Sequence, residues 1–220
     1  QLGGMLRYGI PSYRFPREKL DREIDSILSL GITVHTQVDV GKDIPFEEVR
    51  RQYDSVYISI GAQTDKKTGI PGEESRGVIS AVEMLREIGD NELPDFTGKR
   101  VVVIGGGNVA MDVTRSAVRL GAEKVTCVYR RRQVDMTAMV EEVEGAVAEG
   151  VELLTLMAPV RIEADEEGRA AALWVQPQMP GEIRSGRPAP KAADLPEGRV
   201  PAGVIVVAIG QGIGTRTFEH

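Results

Sequence analysis

The sequence has few of the residues that form metal sites and covalent cross-links. Its 220 residues include one cysteine, Cys127, and two histidines, His35 and His220. A lone cysteine excludes an internal disulfide and a cysteine-ligated iron–sulfur cluster, and two histidines make a zinc site unexpected. We therefore predict no metal site, and we interpret Cys127 as a small residue buried in the core.

Long apolar runs and an excess of positive charge are also lacking. The longest apolar runs, such as residues 204–209, are too short to span a bilayer, and the first residues do not resemble a signal peptide. The net charge of −6 makes nucleic acid and membrane surfaces unexpected partners. We expect a cytoplasmic protein. Because the chain starts at Gln1 and not at Met, we also expect it to be part of a longer protein.

What is present is an alternation of strands and helices. Apolar, β-branched runs alternate with helical periodicity from residue 101 onward, which predicts an α/β fold with a Rossmann-like parallel sheet. A stretch rich in proline, glycine and charge then predicts an inserted β-meander or long hairpin. The predicted elements are strand 101–104, helix 108–120, strand 125–129, helix 138–149, strands 151–156, 160–164 and 170–175, the meander over 176–201, and strand 204–210.

The first hundred residues carry weaker patterns. Residues 1–16 are expected to form a loop, and Pro16 marks the start of a helix. Ser80 and Glu83 form a capping-box pair that opens a second helix. A connector with glycine and proline indicates a domain boundary between about residues 61 and 69. The other predicted elements are strands 32–36 and 55–61 and helix 46–53.

The sharpest feature is the run VVVIGGGNVAMD at residues 101–112. Gly105, Gly107 and Ala110 match G-x-G-x-x-A, the pattern of a dinucleotide-binding βαβ unit. Gly105 permits a tight turn, Gly107 lets a pyrophosphate approach the backbone, and Ala110 keeps the helix close to the strand. Asn108 is a favourable N-cap residue. A glycine turn that merely joins strand to helix is the alternative, but the flanking strand and amphipathic helix favour a phosphate site.

The end of the next strand indicates which dinucleotide binds. A site for NAD usually places Asp or Glu there, to accept a hydrogen bond from the ribose 2′-hydroxyl. Here the strand ends at Tyr129 and is followed by Arg130, Arg131 and Arg132, whose guanidinium groups match the geometry of a 2′-phosphate. A solvated basic turn is the alternative. The position, where the adenosine ribose should lie, favours NADP(H) over NAD(H).

Other charged residues have structural interpretations. Asp112 and Arg115 lie three positions apart on a predicted helix and should form a surface ion pair. A cluster of glutamates is interpreted as a solvated helix face rather than as acid–base groups. The sequence contains no recognisable set of nucleophile, base and acid, so we predict no catalytic residue. That fits hydride transfer, in which the cofactors carry the chemistry. The clustered glutamates are Glu141, Glu142 and Glu144.

Several longer segments resemble one family of flavoproteins. They are similar to the small (β) subunit of NADPH-dependent glutamate synthase and its relatives, which include the flavoprotein parts of dihydropyrimidine dehydrogenase and of ferredoxin:NADP transhydrogenase. The likeness extends over nearly the whole chain. The segments are GGMLRYGIPSYRFPREKLDREI, SVYISIGAQ, GIPGEESRGVISAVEML, GGGNVAMDVTRSAVRLGAEKVTCVYRR and VIVVAIGQG.

The resemblance implies a flavoprotein with two dinucleotide-binding domains. Residues 1–66 are expected to be a partial FAD-domain segment with a crossing linker. Residues 67–203 would be the NADP(H)-binding domain, and residues 204–220 the return strand toward the FAD domain. In the longer parent, hydride would pass from NADPH to FAD, and electrons would then pass to iron–sulfur centres on other domains. The partner would be a large catalytic subunit or a ferredoxin-like acceptor.

The resemblance also implies which residues contact the cofactors. The pyrophosphate would be held by Gly105, Gly107, Asn108, Val109 and Ala110, and the 2′-phosphate by Arg130 and Arg131. The residues near the flavin would be Gly3, Gly4, Gly9, Ile10 and Pro11. Those near the nicotinamide side of the cleft would be Ile209, Gly210 and Gln211.

The sequence also departs from the family. The first glycine motif for FAD, the iron–sulfur domain and the second FAD segment are not found in these 220 residues, and Thr137 stands where the family commonly has proline. The final electron acceptor is left open among glutamate synthesis, a pyrimidine and ferredoxin. A disulfide reductase of the thioredoxin reductase type is disfavoured because no C-x-x-C is present. A non-catalytic NADP(H)-sensing module remains a further alternative.

We predict that the purified 220-residue chain does not retain FAD. A flavin dinucleotide needs its own strand–glycine loop–helix unit, and the one such unit in the sequence is residues 101–112. Loss of most pyrophosphate contacts removes several kcal/mol of binding free energy, which takes even a tight cofactor to negligible occupancy. An absorbance scan of the purified chain checks this, and a stoichiometric flavin band would contradict the assigned domain organisation.

Overall fold

The chain folds into helices and strands whose order follows the alternation predicted from its sequence. The computed structural model describes residues 2–214. The helices are α1 (Met5–Tyr8), α2 (Arg17–Leu28), α3 (Phe46–Gln52), α4 (Ala81–Gly89), α5 (Asn108–Arg119) and α6 (Val140–Ala148), with a 3-10 turn at Gln133–Asp135. The strands are β1 (Thr64–Asp65), β2 (Val78–Ser80), β3 (Arg100–Ile104), β4 (Lys124–Tyr129), β5 (Glu152–Thr155), β6 (Met157–Ala164), β7 (Ala170–Arg184), β8 (Arg187–Ala192), β9 (Gly198–Pro201), β10 (Val204–Val207) and β11 (Gln211–Gly212).

The central sheet is parallel and apolar on both faces. Its five strands lie in the order β2-β10-β3-β4-β5. Successive side chains of a strand point to opposite faces, so Val101 and Val103 pack against α4, α5 and α6, while Val102 and Ile104 pack on the other side. Both sets are fully buried. A strand covered on both faces needs apolar residues at every position, which explains the unbroken run before the glycines.

The second face of the central sheet is covered by a smaller antiparallel sheet. Strand β7 pairs with β6 along much of its length, with β9 near its start and with β8 toward its end. Ile162 and Leu173 from this sheet pack against Val102 and Ile205 of the central sheet. The chain is therefore built of a helix layer, a parallel sheet and an antiparallel sheet. This arrangement confirms the predicted Rossmann-like fold with an inserted β-meander.

The structure differs from the sequence expectations in the first 66 residues. Residues 32–36 and 55–61, predicted as strands, belong to no strand, and nearly all of them are exposed. A strand needs a neighbour for its backbone N–H and C=O groups, and no strand among residues 2–214 pairs with either segment. Residues 5–8, predicted as loop, form α1, where backbone groups bond locally.

The last central strand and one edge strand also differ from expectation. β10 ends at Val207 rather than at residue 210, and it lies between β2 and β3. Because β10 pairs with both neighbours, the central sheet extends to Val207, beyond the boundary expected after residue 203. β2 was not predicted, because a segment of three residues is recognisable as a strand only through its pairing with β10. No helix within residues 2–214 has the length and apolarity needed to cross a bilayer.

A network of ion pairs joins the N-terminal segment to the helix layer. The Asp112 side chain on α5 is 5% exposed, and Nη1 of Arg14 donates to both of its oxygens at 2.8 Å. Arg115 pairs with Glu142 at 2.9 Å and with Glu149 at 2.8 Å. The predicted surface pair between Asp112 and Arg115 is therefore wrong, since Asp112 faces inward and its partner comes from a distant segment.

Glu142 is part of this network and not of a solvated face. Its carboxylate accepts from Nε of Arg14 and from Nη1 of Arg115, both at 2.9 Å. The Tyr13 ring lies under Arg119, whose guanidinium carbon is 3.9 Å from the ring centroid. Burial raises the pKa of Tyr13 to about 12, and the charge of Asp112 adds to the effect. Burial also raises the pKa of Asp112, although the hydrogen bonds from Arg14 act to lower it.

We predict that Asp112→Ala lowers the free energy of unfolding by about 2–4 kcal/mol, because it leaves a partly buried guanidinium with one of its two carboxylates. Urea unfolding followed by circular dichroism measures the loss. Glu74→Ala is the matched control, since Glu74 pairs with Lys67 but its side chain is 83% exposed. We expect that control to leave the midpoint unchanged. Equal effects of the two substitutions would contradict a structural role for the network.

Candidate functional site

The turn between β3 and α5 brings three elements into close contact. Gly105 has φ 153°, and a Cβ there would lie 2.3 Å from the carbonyl oxygen of Ala208, just after β10. A Cβ on Gly106 would lie 2.5 Å from the ring of Tyr129, at the end of β4. Neither position accommodates a side chain. Gly105 thus has the turn-forming role predicted for it. Gly106 must be glycine because of the Tyr129 ring, a contact that the sequence did not predict.

Gly107 differs from its neighbours because packing does not require it. The nearest atom to a Cβ at Gly107 is Oγ1 of Thr137, at 3.4 Å. Gly107 is the N-cap of α5, with φ −101° and ψ 177°. The backbone N–H groups of Gly107, Asn108 and Val109 donate to no acceptor within the described part of the chain. The space over this helix end is therefore open, and its donors are free.

Asn108 does not cap α5, contrary to the prediction. It is the first helical residue, and its Oδ1 accepts a hydrogen bond at 2.9 Å from the backbone N–H of Met139, the N-cap of α6. The carbonyl oxygen of Gly106 accepts from Thr137 and Ala138 at 3.0 and 3.1 Å. These bonds attach residues 137–139 to the glycine loop. No local sequence pattern predicts that attachment, because it joins the ends of two successive helices.

The inner side of the loop is held by buried residues. Ala110 is fully buried where α5 packs on the sheet, and Val109 is partly buried against the same core. The thiol of Cys127 donates to the carbonyl oxygen of Gly105 at 3.2 Å. Burial raises the pKa of Cys127 to about 12, so the thiol stays neutral and unreactive. The interpretation of Cys127 as a small core residue is therefore confirmed.

The three consecutive arginines lie at the same edge of the sheet as the glycine loop, because β3 and β4 are parallel neighbours. Arg132 forms a bidentate pair with Asp135, at 2.8 and 2.9 Å, and its hydrogen bonds lower the pKa of Asp135. Arg131 donates from Nε to the carbonyl oxygen of Pro188 at 3.0 Å. Arg130 is exposed, and within residues 2–214 its side chain has no hydrogen-bond or ion-pair partner. One of the three guanidinium groups is thus free.

The residues predicted near the nicotinamide follow β10 and reach the same edge. Ile209 is 41% exposed, and the carbonyl oxygen of Gly210 accepts from the backbone N–H of Lys66 at 3.2 Å. Gln211 begins β11, which pairs antiparallel with β1. Ala208 contacts the glycine loop, and residues 209–211 directly follow Ala208 in the chain. They therefore start beside the loop.

The residues predicted near the flavin cluster around α1. Gly4 and Gly9 flank this helix, and Pro11 is buried just beyond it. The segment packs on α4, where a Cβ on Gly89 would lie 2.4 Å from Cα of Tyr8. Gly3, Gly4, Gly9, Ile10 and Pro11 therefore lie on either side of a helix that packs on α4, a different element from the one that carries the arginines.

The arrangement at the carboxyl edge suits an extended anion. Free N–H groups at a helix N-terminus, aided by the helix dipole, attract phosphate. Gly107 leaves room for phosphate against the backbone, and the unpaired Arg130 supplies charge beyond the next strand. Two separate anionic groups can thus be bound, one over α5 and one beyond β4. Cys127 is buried and is therefore not placed to act as a nucleophile here.

Comparison with known proteins places this geometry among pyridine-nucleotide enzymes. Mycobacterium tuberculosis FprA in complex with NADPH matches with a TM-score of 0.77 at 21% identity, over 96% of this chain and 62% of FprA, which shows the shared fold. The chain is 39% identical over 211 residues to the NADP(+)-dependent formate dehydrogenase subunit beta of Moorella thermoacetica, covering 95% of this chain and 30% of that subunit.

The family predicted from the sequence is also among the relatives. The glutamate synthase [NADPH] small chain of Escherichia coli is 32% identical over 221 residues, covering 96% of this chain and 47% of the relative. The chain thus spans less than half the length of either curated relative. A family model described as pyridine nucleotide-disulphide oxidoreductase matches residues 7–220. With almost its whole length matched by that model, the chain belongs to the pyridine nucleotide-disulphide oxidoreductase family.

Proposed function

We propose that this chain binds NADP(H) through residues 105–110 and Arg130–Arg132, as the nucleotide-binding part of a flavin-dependent oxidoreductase of the glutamate synthase small-subunit type. The observation that carries the proposal is the combination of an open glycine loop at the start of α5 with a free guanidinium beyond the adjacent strand. When bound, NADPH supplies a hydride, and the flavin of the longer protein accepts it.

The glycine loop would hold the pyrophosphate. The N–H groups of Gly107, Asn108 and Val109 are aligned by α5 and have no internal acceptor, so binding a phosphate costs no existing hydrogen bond. Ala110 lets the helix lie close to the sheet and brings those donors to its edge. Asn108 contributes its backbone and not its side chain, because its amide oxygen accepts from Met139.

The arginines would select the phosphorylated ribose. Among the described residues, Asp135 supplies the carboxylate that lies beside the three arginines, and Arg132 binds both of its oxygens. It is therefore poorly available to accept from a ribose 2′-hydroxyl, as a site for NAD requires. Arg130 has no competing partner and can turn its fork toward a 2′-phosphate. This pattern of paired and unpaired charges supports NADP(H) over NAD(H).

The remaining roles belong to the longer protein. The segment around α1 and the residues after β10 would face a flavin, as part of an FAD domain to which residues 1–66 contribute and toward which residues 204–220 return. The names of the relatives describe a beta subunit and a small chain. These names support a partner subunit, and we propose that electrons pass from the flavin through iron–sulfur centres to that subunit or to a ferredoxin-like acceptor. We place such a complex in the cytoplasm.

Arg130→Ala is predicted to weaken NADPH binding by about tenfold to a hundredfold and to leave NADH binding nearly unchanged, because a hydrogen bond to a charged group contributes roughly 1.5–3 kcal/mol. Arg131→Ala should have the same direction of effect. Titration calorimetry with both nucleotides measures this. Arg100→Ala, at the opposite end of β3 and paired with Glu123 at 3.6 Å, is the control. Equal affinity of the unmodified chain for the two nucleotides would refute the preference.

Gly107→Val should abolish NADPH binding while the chain stays folded. The side chain would enter space next to the free donors, and the extended backbone at Gly107 suits a β-branched residue. By contrast, Gly105→Ala should prevent normal folding, because its Cβ would overlap the carbonyl oxygen of Ala208. Thermal melts with and without NADPH distinguish the two. A Gly107→Val chain whose melting temperature still rises with NADPH would contradict the assignment.

A further inference from the structure

A fourth arginine approaches the arginines that follow β4. Arg187, the first residue of β8, donates from Nη1 to the carbonyl oxygen of Asp135 at 3.4 Å. Asp135 is also the residue that pairs with Arg132. Arg187 lies more than fifty positions further along the chain, so no local pattern in the sequence connects it with this edge of the sheet.

The hairpin formed by β7 and β8 is attached to the arginine turn by hydrogen bonds. The backbone N–H of Leu156 donates to the carbonyl oxygen of Arg131 at 3.0 Å, and that of Gln178 donates to Leu156 at 2.7 Å. On the other strand of the hairpin, the carbonyl oxygen of Pro188 accepts a hydrogen bond from the Arg131 side chain at 3.0 Å. The hairpin is therefore held beside the turn along both of its strands.

A narrow cleft lies between the hairpin and the turn. The turn contributes Arg130, Arg131 and Arg132 to its lining, and β8 contributes residues 188–190. Arg187 directly precedes those lining residues. The cleft has no room for a water-sized group between its walls, so a phosphate would bind at its outer rim, where Arg130 is exposed.

The charges around this cleft do not balance. Within residues 2–214, Arg130, Arg131 and Arg132 line the cleft together with one carboxylate, that of Asp135, and Arg132 binds both of its oxygens. Arg131 and Arg187 donate to carbonyl oxygens and form no ion pair with these described residues. Like charges held together at partly exposed positions repel each other, so an anion bound there would be favourable.

A purely structural role explains Arg187 poorly. The carbonyl oxygen of Asp135 already accepts from the hydroxyl group of Tyr129 at 2.9 Å, a shorter bond than the one from Arg187. A long second bond to that oxygen does not require a guanidinium group. A phosphate bound at the rim of the cleft would use the charge of Arg187 and its remaining donors.

We propose that Arg187 is a fourth phosphate-binding residue, and that the β7–β8 hairpin presents it to the 2′-phosphate of NADP(H). The proposal rests on the function proposed above and extends it. Discrimination between NADP(H) and NAD(H) would then depend on a residue of the inserted meander as well as on the turn after β4. Arg187 would act in binding only, since nothing in its position relates it to hydride transfer.

The test compares two nucleotides that differ by the 2′-phosphate. Titration calorimetry with 2′,5′-ADP and with 5′-AMP is carried out on the unmodified chain and on Arg187→Ala, Arg187→Lys and Arg184→Ala. Arg184 is the matched control, because it lies on the same hairpin, is 76% exposed and pairs with Glu182 at 3.6 Å. Thermal melts verify that each variant is folded, and Arg187→Lys keeps the charge if the alanine variant is unstable.

We expect Arg187→Ala to weaken binding of 2′,5′-ADP by about tenfold and binding of 5′-AMP by less than about twofold. Arg184→Ala should change neither, and Arg187→Lys should retain part of the discrimination. Unchanged binding of 2′,5′-ADP by Arg187→Ala, or equal weakening of both nucleotides, would overturn the role of Arg187 alone. If the unmodified chain does not distinguish the two nucleotides, both the preference for NADP(H) and the role of Arg187 are wrong.

Discussion

The turn after β3 is the point at which β10, β4 and α5 approach too closely for any side chain to lie between them. The carbonyl oxygen of Ala208 occupies the place of a Cβ at Gly105, and the Tyr129 ring occupies that at Gly106. The turn is consequently tight, and α5 starts directly at the edge of the sheet. The free N–H groups of α5 and the residues after β4 and β10 then meet at one edge, because the strands are parallel. The same contact that closes the fold therefore also creates the site.

Two groups of arginines differ in whether their charges are paired with carboxylates. On the helix layer, Arg14 and Arg115 have carboxylates on both sides, and the network attaches the N-terminal segment to α5 and α6. At the carboxyl edge, Arg130 has no hydrogen-bond or ion-pair partner among residues 2–214, and the Arg131 side chain donates to a carbonyl oxygen. Arginines that are paired with carboxylates stabilise the fold, and their charge is not available to a ligand. Unmatched charges cost stability without a ligand and stabilise the complex with one, so the second group fits recognition of an anion.

The parts of the fold that could be predicted from sequence are those whose signals are local. The β3–α5–β4 unit carries its strand, turn and helix patterns within thirty-odd residues, and its elements were predicted to within about two residues at each end. The rest depends on distant partners. Residues 55–61 have the apolar character of a strand, yet no described strand pairs with them, whereas β2 is a strand only because β10 lies beside it. In the candidate site, Gly105 and Gly107 were recognisable from the sequence, but the position of Arg187 beside the arginines was not, because the meander brings it there.

Thr137 illustrates how a departure from a family pattern can leave the site unchanged. Proline, common at this position in the resembling family, restricts the backbone but has no N–H to donate. Here the N–H of Thr137 donates to the carbonyl oxygen of Gly106, alongside that of Ala138. The hydrogen bond from the Thr137 N–H thus holds residues 137–139 against the glycine loop, where proline would restrict the backbone through its ring. The Thr137 hydroxyl also lies 3.4 Å from the Cβ position of Gly107, at the mouth of the open space. The substitution therefore adds a polar group beside the phosphate donors without filling the room that a phosphate needs.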